Sequence, residues 1–291
     1  MRFIVNRADD LHGATTTQAL AVRAKARLVG VDQLGLEPDG RVWAGDSVLR
    51  PGELVVVRTN PSRDPRKGLH RRALDLLRVA RNQGVRVVND PDALAQAETK
   101  LHLATLPGHL RPRTLVSSDP DRLRAFIEQG PSVVKPLDGT RGRDVFKVHA
   151  ASENLPQILD VLCRDGLAMA QEFVPEAVHG DVRIIVLGGQ VLSLGGHPCA
   201  VRRVPPASDF RSNVAVGGTP HPAELQPELL AIANEAAALL LAQGIHFAGL
   251  DAIGIRLVEV NVFSTGGLPD AARFTGQDYI GAVLDYLEAV E

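Results

Sequence analysis

The most constraining feature of the sequence is a predicted hairpin near its end. Two short apolar runs, residues 249–253 and 255–260, flank a single glycine, which is typical of a hairpin turn. Asp251 lies on the first run, and Glu259 and Asn261 lie two positions apart on the second. Because residues i and i+2 of a strand face the same side, Glu259 and Asn261 point together, and a tight hairpin brings Asp251 beside them.

These three side chains predict a metal site. Two carboxylates and an amide oxygen form the all-oxygen set that a hard cation such as Mg²⁺ prefers, and such sites usually leave positions for water and nucleotide phosphates. The alternative is that they are polar residues of a solvated hairpin. The Val, Leu and Ile neighbours indicate a buried strand, where an unpaired carboxylate is costly, and this favours the metal site.

Composition narrows the function classes. The chain has 291 residues, of which 45% are hydrophobic, enough for one large domain or two to three small ones. The net charge of −2 and the lack of a basic block argue against nucleic acid, and no apolar run reaches membrane-spanning length. The start resembles a strand rather than a signal peptide, and Cys163 and Cys199 fit a reducing compartment. We therefore expect a soluble cytoplasmic protein without membrane or nucleic-acid partners.

Strand and helix patterns alternate through about residue 95. The predicted strands and helices of this part are residues 3–5, 15–26, 54–57, 69–83 and 85–88. This alternation favours a doubly wound α/β layer. A further helix is expected to begin at Asn89 or Asp90 and to run to about His102, with Lys100 near its end.

The loop after the strand at 54–57 is a candidate substrate site. Ligands gather beyond the carboxyl ends of parallel strands, so Arg58 and Arg63 could contact an anionic substrate. An ordinary solvated loop with two charges fits the pattern equally well.

A glycine-containing hairpin is expected between strands at 132–136 and 145–148. Gly139 and Gly142 at its tip would let backbone N–H groups approach an anion. It does not match the P-loop pattern, and most such hairpins are simple turns. Lys135 is more informative, because its neighbours are apolar and a buried lysine needs a partner.

The second half alternates further strands and helices. Strands are expected at 167–174 and 181–187, where Asp181 and Arg183 share a face and could pair with each other. Helices are expected at 152–163 (capped by Ser152), 228–243 and 278–290. The segment at 200–213 is predicted to be a polar loop able to close as a lid. The segment at 262–268 is a candidate anion-binding nest of backbone N–H groups. Cys199 is interpreted as structural rather than nucleophilic.

The order of these motifs resembles the ATP-grasp carboxylate–amine ligases, and in particular the bacterial glutathione synthetase family. The similarity runs from about Leu54 to Ser264. The resemblance rests on these segments: Val88-Asn89-Asp90-Pro91, Lys100, Val134-Lys135-Pro136-Leu137-Asp138-Gly139, Met169-Ala170-Gln171, Asp181-x-Arg183, Ala215-Val216-Gly217-Gly218 and Gly249-Leu250-Asp251 with Glu259-x-Asn261.

The resemblance implies an α/β (α+β) ATP-grasp fold in three parts. These are an N-terminal Rossmann-like α/β domain at 1–95, a central lid subdomain at 96–170 and a C-terminal mixed-sheet subdomain at 171–291. ATP would lie between the last two parts. The family also implies two Mg²⁺ ions, with Mn²⁺ as a possible substitute, and a homo-oligomer.

The resemblance also implies roles for individual residues. The nucleotide would contact Lys100, Lys135, Asp138, Gly139, Gly142, Gln171, Glu172, Phe173, Val174 and Asp181. The metals would be held by Asp251, Glu259 and Asn261. Arg183 and Arg203 would steady developing negative charge, and Arg211 and Asn213 would belong to a loop that covers the intermediate. The substrate would contact Arg58, Ser264, Thr265, Gly266 and Gly267.

The implied reaction is ATP-dependent amide formation through an acyl phosphate, joining a carboxylate donor to an amine acceptor. γ-Glutamylcysteine and glycine are the substrates that the closest resemblance implies. The segment Val262-Phe263-Ser264-Thr265-Gly266-Gly267-Leu268 departs from that family and is similar to other ligases of the fold. Two alternatives therefore stand: a related ligase with another donor or acceptor, and a nucleotide-binding module without turnover.

Overall fold

The computed structural model describes residues 2–6, 15–59, 61, 64, 66–138, 143–164, 166–206 and 217–290. In chain order the strands are β1 Arg2–Asn6, β2 Arg27–Gly30, β3 Leu34–Leu36, β4 Val42–Ala44, β5 Ser47–Val48, β6 Leu54–Val57, β7 Arg86–Val88, β8 Thr114–Ser117, β9 Ser132–Pro136, β10 Phe146–Val148, β11 Ala168–Glu172, β12 Asp181–Leu187, β13 Gln190–Val191, β14 Ser193–Leu194, β15 His197–Pro198, β16 Ala200–Val204, β17 Thr219–Pro222, β18 Phe247–Ile253 and β19 Arg256–Asn261. The α-helices are α1 Thr15–Ala24, α2 Lys67–Asn82, α3 Pro91–Gln96, α4 Leu101–Ala104, α5 Pro120–Ile127, α6 Leu155–Cys163, α7 Pro227–Ala242, α8 Leu268–Thr275 and α9 Tyr279–Ala289.

The first sheet is parallel, with strand order β2-β1-β6-β7. All four residues of β6 are buried, as expected for a parallel strand covered on both faces. Helix α1 packs on one face and α2 on the other. The predicted α/β layer is therefore confirmed, and the carboxyl ends of β1, β6 and β7 meet at one edge.

The second sheet is antiparallel, with strand order β10-β9-β11-β8. The predicted hairpin is confirmed, because β9 pairs with β10 from Ser132↔Val148 to Val134↔Phe146. Helices α5 and α6 cover this sheet and form a separate apolar core with it, which includes Leu123, Leu155 and Leu159. The segment between Thr114 and Glu172 thus has its own packing unit.

The third sheet is antiparallel, with strand order β17-β16-β12-β18-β19, and β13 pairs with the end of β12. Helix α7 packs on one face, and α8 and α9 pack on the other. Both of its cores continue into the first sheet. The first and third sheets therefore share their hydrophobic cores, whereas the second sheet does not.

Three sequence-based boundaries are wrong. The helix expected to reach His102 is broken between α3 and α4, because the Lys100 N–H donates to the Leu137 carbonyl of the neighbouring hairpin at 3.2 Å. Helix α6 begins at Leu155 rather than Ser152, since Pro156 fits only the first turn of a helix, and the Ser152 hydroxyl accepts from the His149 N–H instead.

The third correction concerns the segment expected to be a loop from residue 200. Its first part is strand β16, paired with β12 on one side and β17 on the other. Arg202 and Arg203 alternate between exposed and buried positions, as strand neighbours do. Residues 207–213 of the expected lid lie outside the described residues.

Asn89 joins the first sheet to the third. Its Nδ2 donates to the carbonyls of Phe247 at 2.8 Å and Val262 at 2.9 Å. Its Oδ1 accepts from the N–H groups of His246 at 2.8 Å and Phe247 at 2.9 Å. One buried side chain thus satisfies four backbone groups and holds the end of β7 against β18. Across the described part of the chain, no helix is long and apolar enough to cross a membrane.

Replacing Asn89 by alanine should destabilise the protein by about 3 kcal/mol, because it leaves buried backbone groups without partners. The measurement is urea unfolding followed by circular dichroism. Asn82→Ala is the matched control, since Asn82 lies exposed at the end of α2, and its effect should stay within about 0.5 kcal/mol. Equal stability of the two variants would contradict the importance of this junction.

Candidate active site

One face of the third sheet changes from apolar to charged along its strands. Near α8 and α9 it carries buried side chains such as Ile185, Cys199 and Phe247. Because alternate residues share a face, the same face continues into a polar group further along these strands. That group consists of Asp181, Arg183, Arg203, Asp251, Glu259 and Asn261.

The register of the third sheet brings the predicted metal ligands together. Asp251 on β18 lies opposite Glu259 on β19, and Gly249 lies opposite Asn261. The expected hairpin is confirmed, and so is the proximity of Asp251 to the other two side chains. On its other side Asp251 faces Arg183 of β12 across the sheet.

Asp251 is held by two arginines. Its Oδ2 accepts from Arg183 Nη2 at 2.8 Å and lies 2.9 Å from Arg203 Nη2, while its Oδ1 accepts from Arg183 Nε. Asn261 Nδ2 also donates to Oδ2 at 3.3 Å. Burial alone would raise the pKa of Asp251, but the two guanidinium groups hold it well below its usual range. The carboxyl group is therefore ionised.

Asp181 forms a second ion pair on this face. Arg203 donates from Nε to Asp181 Oδ1 at 2.7 Å and from Nη2 to Oδ2 at 2.6 Å. Burial works against the charge on Arg203, yet the neighbouring Asp251 and Asp181 raise its pKa. Asp181 on β12 therefore pairs with Arg203 on the neighbouring strand β16. The sequence had instead indicated a pair between Asp181 and Arg183 on one strand.

Glu259 lies in a lysine-rich environment. Its removal from water and the charge of Asp251 raise its pKa, against the opposing pull of Lys100, Lys135 and Arg183. Burial lowers the pKa of Lys135 to about 8 although Glu259 favours its charged form, and burial also lowers the pKa of Lys100. The nearby carboxylates do not fully compensate the burial of Lys100 and Lys135. An anionic ligand that binds beside these two amines would therefore stabilise their charged forms.

Lys135 and Lys100 come from different elements. Lys135 on β9 donates to Gln171 Oε1 of β11 at 3.1 Å and reaches the Val258 carbonyl at 3.5 Å. Lys100, just before α4, donates from Nζ to the Leu137 carbonyl at 3.4 Å. The second sheet thus presents Lys135 to Glu259 of the third sheet.

The donor set fits a magnesium site. Asp251 and Glu259 supply carboxylates, and Asn261, by donating from Nδ2, keeps its amide oxygen as a further ligand atom. In the described ranges no group of three His, Cys, Asp or Glu side chains is arranged to hold a metal by itself. Six oxygens around Mg²⁺ would therefore need water or ligand phosphates in addition to these side chains.

Arg58 lies beneath the loop that follows β19. It is almost fully buried, and its Nη2 donates to the Thr265 carbonyl at 2.6 Å. Its Nε donates to Thr17 Oγ1 at 3.3 Å, and its guanidinium lies 5.3 Å from the centre of the Phe247 ring. Arg58 therefore connects the carboxyl end of β6 to residues 264–267.

Gly249 lets this loop approach the sheet. A Cβ atom on Gly249 would lie 2.0 Å from Thr265 Oγ1 and 3.0 Å from Arg183 Cδ. A Cβ on Gly267 would lie 3.5 Å from Arg183 Cγ. The loop carrying Ser264 and Gly266 is thus packed against the charged face.

The remaining predicted nucleotide residues lie on or near the second sheet. Gln171 is buried and also donates to Thr114 Oγ1 at 3.3 Å, whereas Glu172 is exposed at the end of β11. Phe173 follows, with Lys147 Nζ 3.8 Å from its ring centre, and then Val174. Gly139, Gly142, Arg63, Arg211 and Asn213 lie outside the described residues.

The structure adds Lys67, which the sequence did not single out. Its Nζ lies 2.7 Å from Asp138 Oδ2, linking α2 to the tip of the β9–β10 hairpin. The partners are far apart in the chain, so no local pattern could have found the pair. Cys199 is fully buried and burial strongly raises its pKa, as expected for a structural thiol.

Comparison with known proteins identifies the family. A family model described as prokaryotic glutathione synthetase, ATP-grasp domain, matches residues 99–276. A curated glutathione synthetase of Ralstonia nicotianae is 36% identical over 263 residues, covering 88% of this chain and 78% of the relative. One of Vibrio vulnificus is 33% identical over 286 residues, covering 96% and 85%.

Solved structures agree on the fold. The ATP-grasp ligase PsnB complexed with a minimal precursor aligns with a TM-score of 0.66 at 25% identity, covering 99% of this chain and 98% of that one. PsnB has also been solved with a phosphomimetic variant of that precursor, Mg and ADP (TM-score 0.67, 23% identity, covering 99% and 97%). The D-cycloserine synthetase DcsG aligns with a TM-score of 0.70 at 16% identity, covering 99% of each chain. The expected ATP-grasp fold is confirmed.

Replacing Gly249 by alanine should destabilise the protein by about 1–3 kcal/mol, because the added methyl group overlaps Thr265 and must displace the loop. Thermal unfolding and urea unfolding measure the effect. Gly68→Ala in α2 is the control, since no heavy atom lies within 4 Å of its added Cβ. That variant should be neutral or gain up to about 1 kcal/mol from helix propensity. A Gly249→Ala protein as stable as wild type would refute the tight contact.

Proposed function

Because the chain belongs to the prokaryotic glutathione synthetase family, we propose that it is the ATP-dependent ligase that joins γ-glutamylcysteine and glycine into glutathione, releasing ADP and phosphate. The observation that carries this proposal is the arrangement around Glu259. The β18–β19 register sets it opposite Asp251, and Lys100 and Lys135 act on the same carboxylate. A nucleotide-binding module without turnover has no need for both carboxylates and the two arginines.

We propose three units with ATP between the last two: residues 1–95, 96–170 and 171–291. The separate apolar core of the second sheet supports a central unit that moves as one body from Thr114 onwards, whereas Ala97, Leu103 and Leu106 pack in the core of the other two sheets. Its last strand, β11, extends to Glu172, so the linker would begin there rather than at 171. The shared cores of the first and third sheets support a stable base for this unit.

In this proposal, Lys100 and Lys135 contact the nucleotide phosphates. Their lowered pKa values reflect burial, and phosphate oxygens would favour the charged amines again. Asp138, Gly139 and Gly142 would add contacts from the hairpin. The residues Gln171, Glu172, Phe173 and Val174 would frame adenine and ribose.

Asp251, Glu259 and Asn261 would hold Mg²⁺, and we propose two ions. The metal, when bound, neutralises phosphate charge and polarises the phosphoryl group. The chain's own contribution is to hold these oxygens on one rigid sheet face, opposite the lysines. Such preorganised charges reduce the reorganisation needed during phosphoryl transfer.

The two arginines would serve the ligation step. A carboxylate is a poor acyl donor, but transfer of the γ-phosphoryl group from ATP to its oxygen releases ADP and makes an acyl phosphate, from which phosphate is a good leaving group. When the amine attacks, negative charge develops on the former carboxylate oxygen, and Arg183 and Arg203 would stabilise it. Arg211 and Asn213 would belong to the segment that keeps water from the intermediate.

Ser264, Thr265, Gly266 and Gly267 would line the substrate pocket. Arg58 would contribute to this pocket by holding the Thr265 carbonyl, and with it the loop, in place. The protein's small-molecule partners are thus a carboxylate and an amine. We also expect a homo-oligomer in the cytoplasm, on the basis of the family resemblance and the composition.

A second candidate is a ligase of the same chemistry with another donor or acceptor. The observation that favours it is the segment 262–268, which differs from the family pattern and packs directly on the charged face. Acceptor choice depends on this loop. The ATP and metal sites would be unchanged in that case.

Glu259→Gln should reduce ATP turnover by on the order of 10²–10³-fold, because it removes one negative ligand charge from the site. The protein should remain folded, since the amide keeps the shape of the side chain. The measurement is phosphate release from Mg-ATP with both substrates, alongside urea unfolding. Glu224→Gln, at an exposed position, is the control and should match wild type. Near-normal turnover in Glu259→Gln would contradict the assignment of Glu259 as a metal ligand.

The substrates are tested by phosphate release from Mg-ATP with γ-glutamylcysteine, with and without glycine. We expect release to require both substrates and glutathione to appear by mass spectrometry. Release with γ-glutamylcysteine but with another amine in place of glycine would favour the second candidate. Binding of ADP without turnover for any donor and acceptor pair would favour a nucleotide-binding module.

A further inference from the structure

We propose that His70 is a positioning residue for the substrate pocket, because it fixes the loop between β6 and α2 and, through that loop, Arg58. The inference rests on the proposed function, in which Arg58 holds the Thr265 carbonyl and residues 264–267 line the pocket. A residue that acts in this way changes how the carboxylate and the amine bind, but not how ATP binds.

His70 lies in the first turn of α2 and is only 1% exposed. Its Nε2 lies 3.0 Å from Asp64 Oδ2, and its Nδ1 is hydrogen-bonded to Thr59 Oγ1. Thr59 lies just after β6, and Asp64 lies just before α2. One buried ring therefore connects the two ends of the loop between these elements.

Asp64 determines which nitrogen of His70 carries the proton. The Arg66 side chain donates to Asp64 from Nε at 3.2 Å and from Nη2 at 3.1 Å, and the Arg66 N–H donates to Oδ1 at 2.8 Å. These hydrogen bonds from Arg66 hold the pKa of Asp64 well below its usual range, although burial opposes them. An ionised carboxylate only accepts, so His70 donates to it from Nε2. In the neutral ring, Nδ1 then accepts from the Thr59 hydroxyl.

The three side chains have the chemical order of a hydrolase triad, with a hydroxyl, an imidazole and a carboxylate. A reacting group must lie within reach of its substrate, however, and Thr59 is only 1% exposed. The side chains of Asp64 and His70 are equally buried. The network therefore holds the chain in place and does not react with a substrate.

Thr59 is covalently joined to Arg58, which reaches the pocket. The Arg58 N–H donates to the Val5 carbonyl at 2.7 Å. Its side chain donates to Thr17 Oγ1 at 3.3 Å and to the Thr265 carbonyl at 2.6 Å. A shift of Thr59 would move the Arg58 backbone and strain the hydrogen bond to Thr265. The position of the pocket loop thus depends on a contact made by α2.

Stability alone does not require a buried polar network at this place, because apolar side chains of similar volume often stabilise a core equally well. A satisfied network of directional hydrogen bonds instead favours one arrangement of the groups that it joins. The network also lies beyond the carboxyl end of a parallel strand, where ligands of α/β folds bind. Its place and its chemistry both point to positioning.

The test compares Thr59→Val with Thr59→Ser in steady-state kinetics. Valine keeps the shape of threonine but cannot donate to His70. Thr59→Val should therefore raise KM for γ-glutamylcysteine or glycine by about three- to tenfold, with less than about a twofold change in KM for ATP. Thr59→Ser restores the hydroxyl and should stay within about twofold of wild type for all three substrates.

Thr219→Val is the matched control, because Thr219 Oγ1 also contacts a histidine, His221, at 3.0 Å, but on the exposed surface. Its KM values should match those of wild type. Unchanged KM values for both small substrates in Thr59→Val would overturn the proposal, as would an equal rise in KM for ATP. Urea unfolding monitors each variant. If Thr59→Val does not fold, His70→Gln, which keeps a donor and an acceptor at a different spacing, takes its place with the same expectations.

Hydrogen exchange measured by mass spectrometry tests the same connection without substrates. In Thr59→Val, peptides that cover residues 54–59 and 262–268 should exchange faster than in wild type, whereas a peptide that covers 114–117 in the second sheet should not change. Unchanged exchange at 262–268 would overturn the role of His70, whichever substrates the protein uses. Faster exchange there, in a wild-type protein that does not turn over γ-glutamylcysteine and glycine, would support the role of His70 and tell against the proposed substrates alone.

Discussion

The charged face of the third sheet depends on the balance of charge around Asp251. A carboxylate so deeply buried would be costly without compensation, and two guanidinium groups provide it. Asp181 in turn compensates Arg203. The four charged side chains of this network, Asp181, Arg183, Arg203 and Asp251, are therefore paired with one another before any ligand arrives. A ligand that binds them exchanges these partners instead of meeting bare buried charges.

This arrangement needs a rigid base, which the first and third sheets provide together. Asn89 ties β7 to β18 through four backbone groups, and Arg58 ties β6 to the loop after β19. Both side chains are buried and donate hydrogen bonds across the junction, so their removal is penalised. The second sheet has its own core and contacts this base through Lys135 and Lys100. A rigid base formed by the first and third sheets, and a second sheet that packs independently, suit a site that closes over a nucleotide.

Sequence-based expectations succeeded where periodicity or local chemistry decides the outcome. Strand β6, hairpins β9–β10 and β18–β19 and the Asp90 helix cap all follow from short patterns. They failed where a distant contact outweighs local preference. The expected helix through Lys100 is interrupted by a hydrogen bond to Leu137, and the expected loop at 200 is a strand because β12 and β17 flank it.

Local patterns in the sequence predict the α/β alternation, the spacing that places Glu259 and Asn261 on one face, and the order of motifs that marks the family. These follow from strand period and residue chemistry, which are local. How the charges pair is set by the folded arrangement of the strands. Arg203 binds Asp181 and Arg183 binds Asp251, across separations of 22 and 68 positions. Such pairs depend on strand register and burial, and neither is encoded in any single stretch of the chain.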